Sequence, residues 1–306
     1  MSSPPAATVN DVHCHFFSPR FLEALGREKQ GAGGMSGHQV AHDLGWDDPG
    51  SVESLADRWV AELDRHHASR AALIGSVAGD EDSVAAAVAR HPRRFVGFFA
   101  LNPAAPDAAD RARRAFGELG LRTACLFPAL HRYALDSEPV AKVFEIAAAH
   151  GGAIFAHCGH LWIEARAKLG LPSVRDLRFG DPLALAVTAG QFPSVPVIVP
   201  HFGAGFFREA LMAADVCPNI HFDTSSSNSW MKFTPGLTLC EVFRRSLAVV
   251  GPQRLIFGTD SSFFPRGWRQ VIHGAQQAAL DEAGIEPEVA ARIFSGNFER
   301  IFGTTS

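Results

Sequence analysis

The sequence predicts a (β/α)8 TIM barrel on three observations. Eight short apolar runs alternate with longer amphipathic stretches along the 306 residues. Histidine and aspartate recur at the carboxyl ends of several of those runs, where the loops of such a barrel build its active rim. No linker, internal repeat or low-complexity tract interrupts the alternation, so residues 1–306 read as one domain.

The candidate strands, in order, are "TVNDVH" (8–13), "RAALIG" (70–75), "FVGFFAL" (95–101) and "LRTACLF" (121–127), followed by "GAIFAH" (152–157), "VPVIVPH" (195–201), "NIHFDT" (219–224) and "RLIFGTD" (254–260). Between them lie helix-like segments such as "DEDSVAAAVARH", "PDAADRARRAFGEL" and "GLTLCEVFRRSLAVVG", several opening on Asp, Ser or Pro and closing on Gly. In "DSEPVAKVFEIAAAHGG", Val140, Val143, Phe144 and Ala147 recur at helical spacing and form one apolar stripe. Two connections exceed a minimal loop. Residues 29–50, after the first βα unit, are rich in Gly and polar side chains, too polar for core. They read as a polar insertion, either a mobile lid or a subunit contact, the latter implying a homodimer. Residues 158–181, after the fifth strand, hold a short helix with its own Trp.

Composition narrows the function. With 47% hydrophobic and 20% charged residues and a net charge of −4, the chain is an ordinary globular one with a large core. No basic stripe or block of like charge appears, which argues against nucleic-acid or anionic-membrane partners and for a small-molecule substrate. Five cysteines without a CxxC spacing suit a reducing compartment. The opening "MSSPPAA" lacks a basic and a hydrophobic segment, so the expected location is cytoplasmic.

The chemistry starts at "VHCHFF". Residues i and i+2 of a strand point the same way, so His13 and His15 converge, and each neutral ring offers one lone pair to a metal. An HxH pair arises by chance about once in two chains this rich in histidine, so it is weak alone. It gains weight from the other strand ends: His157 on the fifth, His201 on the sixth and Asp260 on the eighth. Five metal-competent residues then share one rim.

As a set, "DVHCHFF", "FAHCGH", "PHFGAGF", "FGTDSSF" and "SGNFERIFG" resemble the amidohydrolase superfamily, in particular its amidohydrolase-related group of aminocarboxymuconate semialdehyde decarboxylase-like enzymes. The resemblance runs from about residue 10 to 303. It implies His13, His15, His157 and Asp260 as metal ligands, with His201 acting on the substrate or the metal-bound water. The bridging lysine of two-metal members is missing from the fourth strand, which implies one divalent ion: zinc suits the set, and manganese, iron or cobalt could occupy it. Such an ion lowers the pKa of bound water toward about 7, and Asp260 would shuttle its proton. The lysine's absence also leaves His131 without a role.

Around this set, Asp11 either buttresses a ligand histidine or sits as a packed carboxylate satisfied by backbone. Asp223 and Thr224 close the seventh strand. The run after them is either a self-satisfied turn or a source of substrate hydrogen bonds from Ser226 or Asn228. Cys14 and Cys158 turn away from the metal by strand alternation. The chain has 24 Phe against one Tyr, and many fall just past strand ends: Phe16, Phe17, Phe202, Phe206, Phe207, Phe263 and Phe264, with Trp162 beside them. Part of these pack the barrel against its helices. The rest, with Phe16, Phe17, Trp162 and Phe263 foremost, suggest a flat apolar pocket wall. Arg266 is either a carboxylate anchor or a solvated cation.

Two reactions fit one metal site: hydrolysis of an amide, ester or lactone, which is the primary reading, and non-oxidative decarboxylation of an aromatic or unsaturated acid, the alternative. A metal-binding protein without turnover is the third reading, and it requires a closed coordination sphere.

Overall fold

The computed structural model describes residues 8–29, 34–172, 175–226 and 229–303. The opening "MSSPPAA" and Asn228 lie outside the described residues. Each candidate run matches one strand, though β1 runs three residues past 13 and β2 starts two before 70: β1 Val9–Phe16, β2 Ala68–Gly75, β3 Phe95–Leu101, β4 Thr123–Leu126, β5 Ala153–Ala156, β6 Val197–Val199, β7 Ile220–Asp223 and β8 Leu255–Ile256. They pair in parallel in the order β1 to β8. The ring closes where the segment after β8 meets β1: Val12 N donates to Phe257 O at 2.9 Å and His15 N to Ser261 O at 2.7 Å. Each strand is followed by helical structure on the outside, as a parallel sheet requires.

Two apolar layers result. Inside the barrel pack Val12, Ile74, Phe98, Phe155 and Ile198, together with Phe298 and Phe302 from the last helix, Asn297–Phe302, which closes the amino-terminal mouth. Asn10 and Arg70 hold that helix through Glu299, at 2.8 Å each. Outside the sheet, Leu73, Phe99, Phe144, Phe222 and Phe243 pack against the helical ring.

β1 does not alternate evenly. Asp11 pairs with Ala71 but Cys14 with Leu73, so β1 carries one extra residue across Val12–His13. This bulge lets Val12 enter the barrel interior and His13 still face the rim. It also turns Asp11 to the outer side, where its carboxylate accepts from Trp268 Nε1 at 2.7 Å and from Thr259 Oγ1 at 2.5 Å. Strict alternation had placed Asp11 under His13, and the extra residue is why it is not there.

The insertion is more structured than its composition suggests. Helix α1 is Pro19–Glu28 and α2 is Gly37–Leu44. Ser36 and Gln39 form a reciprocal capping box at the start of α2, and Gly45 ends it in the left-handed region at φ 69°. Val40, Ala41 and Leu44 of α2 are buried against Phe21, Leu22 and Leu25 of α1. So part of the stretch read as too polar for core is core, because only one face of a short helix needs apolar residues. Residues 30–33 of this stretch lie outside the described residues.

Candidate metal centre

His13 and His15 lie within β1, whereas His201 and Asp260 sit past the ends of β6 and β8, where backbone conformation stops the strand. β6 ends at Val199 because His201 and Phe202 take left-handed angles, φ 55° and 52°, and Asp260 does so beyond β8 at φ 56°. Such angles cost a residue with a Cβ about 1–3 kcal/mol and persist where packing over-determines them. Gly159 permits a further close approach, since a Cβ there would overlap the carbonyls of Gly203 and Ala204. That contact holds the β5 loop against the His201 loop.

Three of the four ligand candidates converge. His13 Nε2 lies 3.3 Å from His15 Nε2, and Asp260 Oδ1 lies 3.3 and 3.1 Å from them. Among the described residues these three form the group whose donor atoms could hold an ion. Hydrogen bonding sets their tautomers. His13 Nδ1 faces the buried Asp223 Oδ2 at 2.6 Å. His15 Nδ1 faces Ser76 Oγ at 2.7 Å, and that hydroxyl donates onward to Ile74 O. Both Nδ1 atoms therefore carry the proton, and both Nε2 lone pairs point at Asp260. Three electron-rich atoms packed this way repel one another unless a cation lies among them. Donors about 2.0–2.1 Å from a shared ion stand about 3.0–3.4 Å apart, as these do.

His157 stands outside this trio, on the next part of the rim, with its ring 5.3 Å from that of His201. Its Nδ1 is buried without a hydrogen-bond partner among the described residues. A buried nitrogen left unpaired costs about 1–3 kcal/mol, which a ligand to that atom removes. The donor set thus fits a divalent ion held by His13, His15 and Asp260, and His157 Nδ1 is a further buried donor on the same rim, outside that group. His201 is fixed through Nδ1, which donates to Ser225 O at 3.1 Å and lies 2.9 Å from Ser225 Oγ. Its Nε2 is left with the lone pair.

Electrostatics follow from this packing. Burial opposes the charge of Asp260, yet when no ion lies among the three, positive charge on a protonated His13 and the hydrogen bond and charge of a protonated His15 outweigh it and hold the carboxyl well below its usual range. Burial pushes His157 well below the ordinary imidazole value, with His201 and His13 adding to it. His15 and His201 are lowered, burial again the largest cause. His13 alone of the four is raised: burial lowers it, but Asp223 and Asp260 together prevail.

The carboxylate against the His13 ring is thus Asp223, while Asp11 is the packed carboxylate satisfied by backbone: its Oδ1 accepts from His13 N at 2.8 Å and from Thr259 N at 3.1 Å, which ties β1 to the β8 loop, and burial lifts it to about 6. Ser225 and Ser76 were not singled out in the sequence. Ser76 had one signal, its place just past β2, and Ser225 had its place two residues past Asp223. Cys14 and Cys158 are buried among the outer layer.

The aromatic residues divide. Phe16 is fully buried in the outer layer with Leu55 and Trp59, so it does not line the site; odd-even alternation past the bulge sends it opposite to His15. Phe202 and Phe207 pack outside the sheet as well, around Trp230 and Phe243. Phe17 does reach the site, stacked on His15 at 5.4 Å. It begins a slab of near-parallel rings: Trp46 lies 5.2 Å from Phe17 and Phe263 lies 4.2 Å from Trp46. Trp46 belongs to the insertion and was not anticipated. Arg266 covers Phe263 at 4.6 Å, bonds Ser262 Oγ, and bears electrostatically on Asp260. Trp162 is 60% exposed on the β5 loop, under the Arg175 guanidinium. Ser226 is half-buried, and His131 stacks loosely on Tyr133 at 6.3 Å.

Solved structures share this architecture. A 5-carboxyvanillate decarboxylase from Sphingomonas paucimobilis is 17% identical, matched over 98% of this chain and 100% of its own at a TM-score of 0.65. A probable 2-pyrone-4,6-dicarboxylic acid hydrolase from Acinetobacter baumannii is 13% identical, over 97% and 99% of the chains, at 0.63. A dihydroxybenzoic acid decarboxylase from Polaromonas sp. JS666, which holds manganese and 2-nitroresorcinol, is 18% identical, over 96% of each chain, at 0.60. No curated protein sequence matches. The amidohydrolase family model spans residues 11–304, from the buttressed strand of His13 and His15 past Asp260 to the closing helix, and the chain therefore belongs to the amidohydrolase family.

Proposed function

We propose that this amidohydrolase is a divalent-metal-dependent carboxy-lyase that removes a carboxylate, as CO2, from a small aromatic acid. The carrying observation is the setting of the His13, His15, Asp260 trio, bordered by the Phe17, Trp46, Phe263 slab and by the Arg266 guanidinium. The edges of the stacked rings give apolar surface for an aromatic ring to pack against, and a guanidinium beside the trio suits the acid's charge. The likeness to aromatic-acid decarboxylases supports this reading over hydrolysis. A bound divalent ion would supply Lewis-acid attraction for the substrate's oxygens.

The chain's own residues would do the rest. Arg266 orients the acid, and the slab holds the ring plane. His201, pinned through Nδ1 by Ser225, presents Nε2 to carry a proton. In the reaction the ring carbon keeps the electron pair of the broken C–C bond and takes one proton, and CO2 departs. Zinc fits the nitrogen-rich donors, and the manganese of the Polaromonas enzyme makes that ion the second choice.

Hydrolysis of a lactone is the second reading, supported by the likeness to the Acinetobacter hydrolase. The test is to load the protein with Zn2+ or Mn2+ and offer a panel of hydroxybenzoic acids and lactones. Bicarbonate release with ring-protonated product supports the carboxy-lyase. Ring-opened product without bicarbonate overturns it in favour of hydrolysis. The substrate is a small molecule in either case. No described helix is long and apolar enough to cross a membrane. The cytoplasmic location is a separate proposal, supported by five free cysteines that suit a reducing compartment.

A further inference from the structure

A second group of cationic and aromatic side chains stands on the same rim, on the loops after β5 and β7. Arg175 carries two buried guanidinium nitrogens, Nε and Nη2, without a hydrogen-bond partner among the described residues. Its guanidinium lies over the Trp162 ring at 5.3 Å. His160, three residues past His157, has its Nδ1 buried and likewise unpartnered. Its backbone is tied by a 2.7 Å bond from His160 N to Ala204 O, which fixes it against the loop of His201. Lys232 lies near the Phe233 ring at 5.2 Å and pairs with no carboxylate among the described residues, and Phe233 packs on His160 at 5.2 Å.

These groups act on one another. Burial lowers His160 below its ordinary value, and the Lys232 and Arg175 charges push it the same way. Arg175 is lowered by burial and by Arg166. Elsewhere on the molecule, arginines near carboxylates pair with them, as Arg70 does with Glu299 and Arg166 with Glu28. A guanidinium with two nitrogens desolvated and unpaired forfeits hydrogen bonds worth about 1.5–3 kcal/mol each to a charged partner. An arriving anion restores them. The two exposed rings, Trp162 and Phe233, at 60% and 52%, provide apolar surface for the body of the same ligand.

We propose that Arg175, with Lys232 and His160, forms a second anion subsite, which binds a further carboxylate of an aromatic substrate whose reacting carboxylate lies at the metal trio. The aromatic part of this assignment rests on the carboxy-lyase reading; the anion subsite itself does not. It makes the preferred ligand an aromatic dicarboxylate. The planar fork of Arg175 grips two oxygens, while Lys232 contributes charge from the open side.

The test is binding to the Zn2+-loaded protein, followed by calorimetry, with benzene-1,3-dicarboxylate, benzoate and inorganic phosphate as probes. The wild type binds the dicarboxylate at least about tenfold more tightly than benzoate. Arg175→Gln removes that preference and changes benzoate affinity less than about twofold, and Lys232→Gln reduces it in part. Lys232 is exposed, so its variant remains informative if the Arg175 variant fails to fold. A wild type without the preference overturns the proposal, as does a variant that weakens both acids equally. Phosphate binding tighter than the dicarboxylate, lost in Arg175→Gln, assigns the subsite to a free inorganic anion and also overturns it. None of these readouts needs turnover, so absence of bicarbonate release would sink the carboxy-lyase reading alone.

Discussion

Asp223→Asn isolates the carboxylate behind the metal trio. In the wild type, Asp223 Oδ2 accepts from His13 Nδ1 at 2.6 Å and from Ser225 Oγ at 2.9 Å, while Oδ1 accepts from Ser225 N at 2.7 Å. Three donors thus share two anionic oxygens. An amide offers one oxygen and two N–H groups, so either orientation sets a donor against a donor. With its oxygen toward His13, the amide nitrogen faces Ser225 N–H. With its nitrogen toward His13, the ring must accept at Nδ1 and move its proton to Nε2, where the ligand lone pair was. One charge-assisted bond at this buried place is worth about 1.5–3 kcal/mol. At 1.4 kcal/mol per factor of ten, metal affinity falls about 10- to 100-fold. The assay is titration of the apoprotein with Zn2+ against a chromophoric chelator, with circular dichroism to confirm the fold. A folded variant whose affinity stays within about twofold of the wild type would refute the buttress.

The remaining predictions concern packing and pH. A Cβ at Gly258 would overlap Asp223 Oδ1 and stand 3.1 Å from His13 Cβ; Gly258→Ala therefore weakens metal binding and costs about 1–3 kcal/mol of stability, read by chelator competition and urea unfolding. Phe16→Ala leaves a cavity in the outer layer and destabilises by about 3–5 kcal/mol with KM unchanged, whereas Phe17→Ala raises KM with little loss of stability. Asp80 is fully buried and accepts from Ser18 Oγ, and burial raises its pKa from 3.8 to about 6. The folded state thus holds the proton more tightly than the unfolded one: the group's contribution is fully present below about pH 4 and is lost as pH rises through about 6. Asp80→Asn is free of that loss, so its stability relative to wild type should rise by on the order of 3 kcal/mol between pH 4 and 7, measured by urea unfolding of the metal-free proteins. A flat difference across that range would contradict the burial argument.

The amino-acid order alone shows the eight βα units and the histidines and aspartate at their rim ends. The period of the apolar runs specifies eight βα units, because a strand buried on both faces and an amphipathic helix leave different patterns. His13 and His15 are legible as a pair because strand alternation past the bulge is local. His201 and Asp260 are legible because they end apolar runs. What the sequence leaves open depends on contacts between distant segments or on a single extra residue. Only the folded chain shows that Asp223, 210 positions from His13, is its partner, and that the bulge in β1 turns Asp11 away. Only it separates Phe17 at the site from Phe16 in the outer layer, and brings Trp46 from the insertion into the slab. His157 is a rim residue by sequence, but its distance from the trio is a matter of how far β5 stands around the closed barrel from β1. Periodicity records which face a residue takes; ring closure decides which faces meet, and that choice brings the trio together at β1 and the segment after β8.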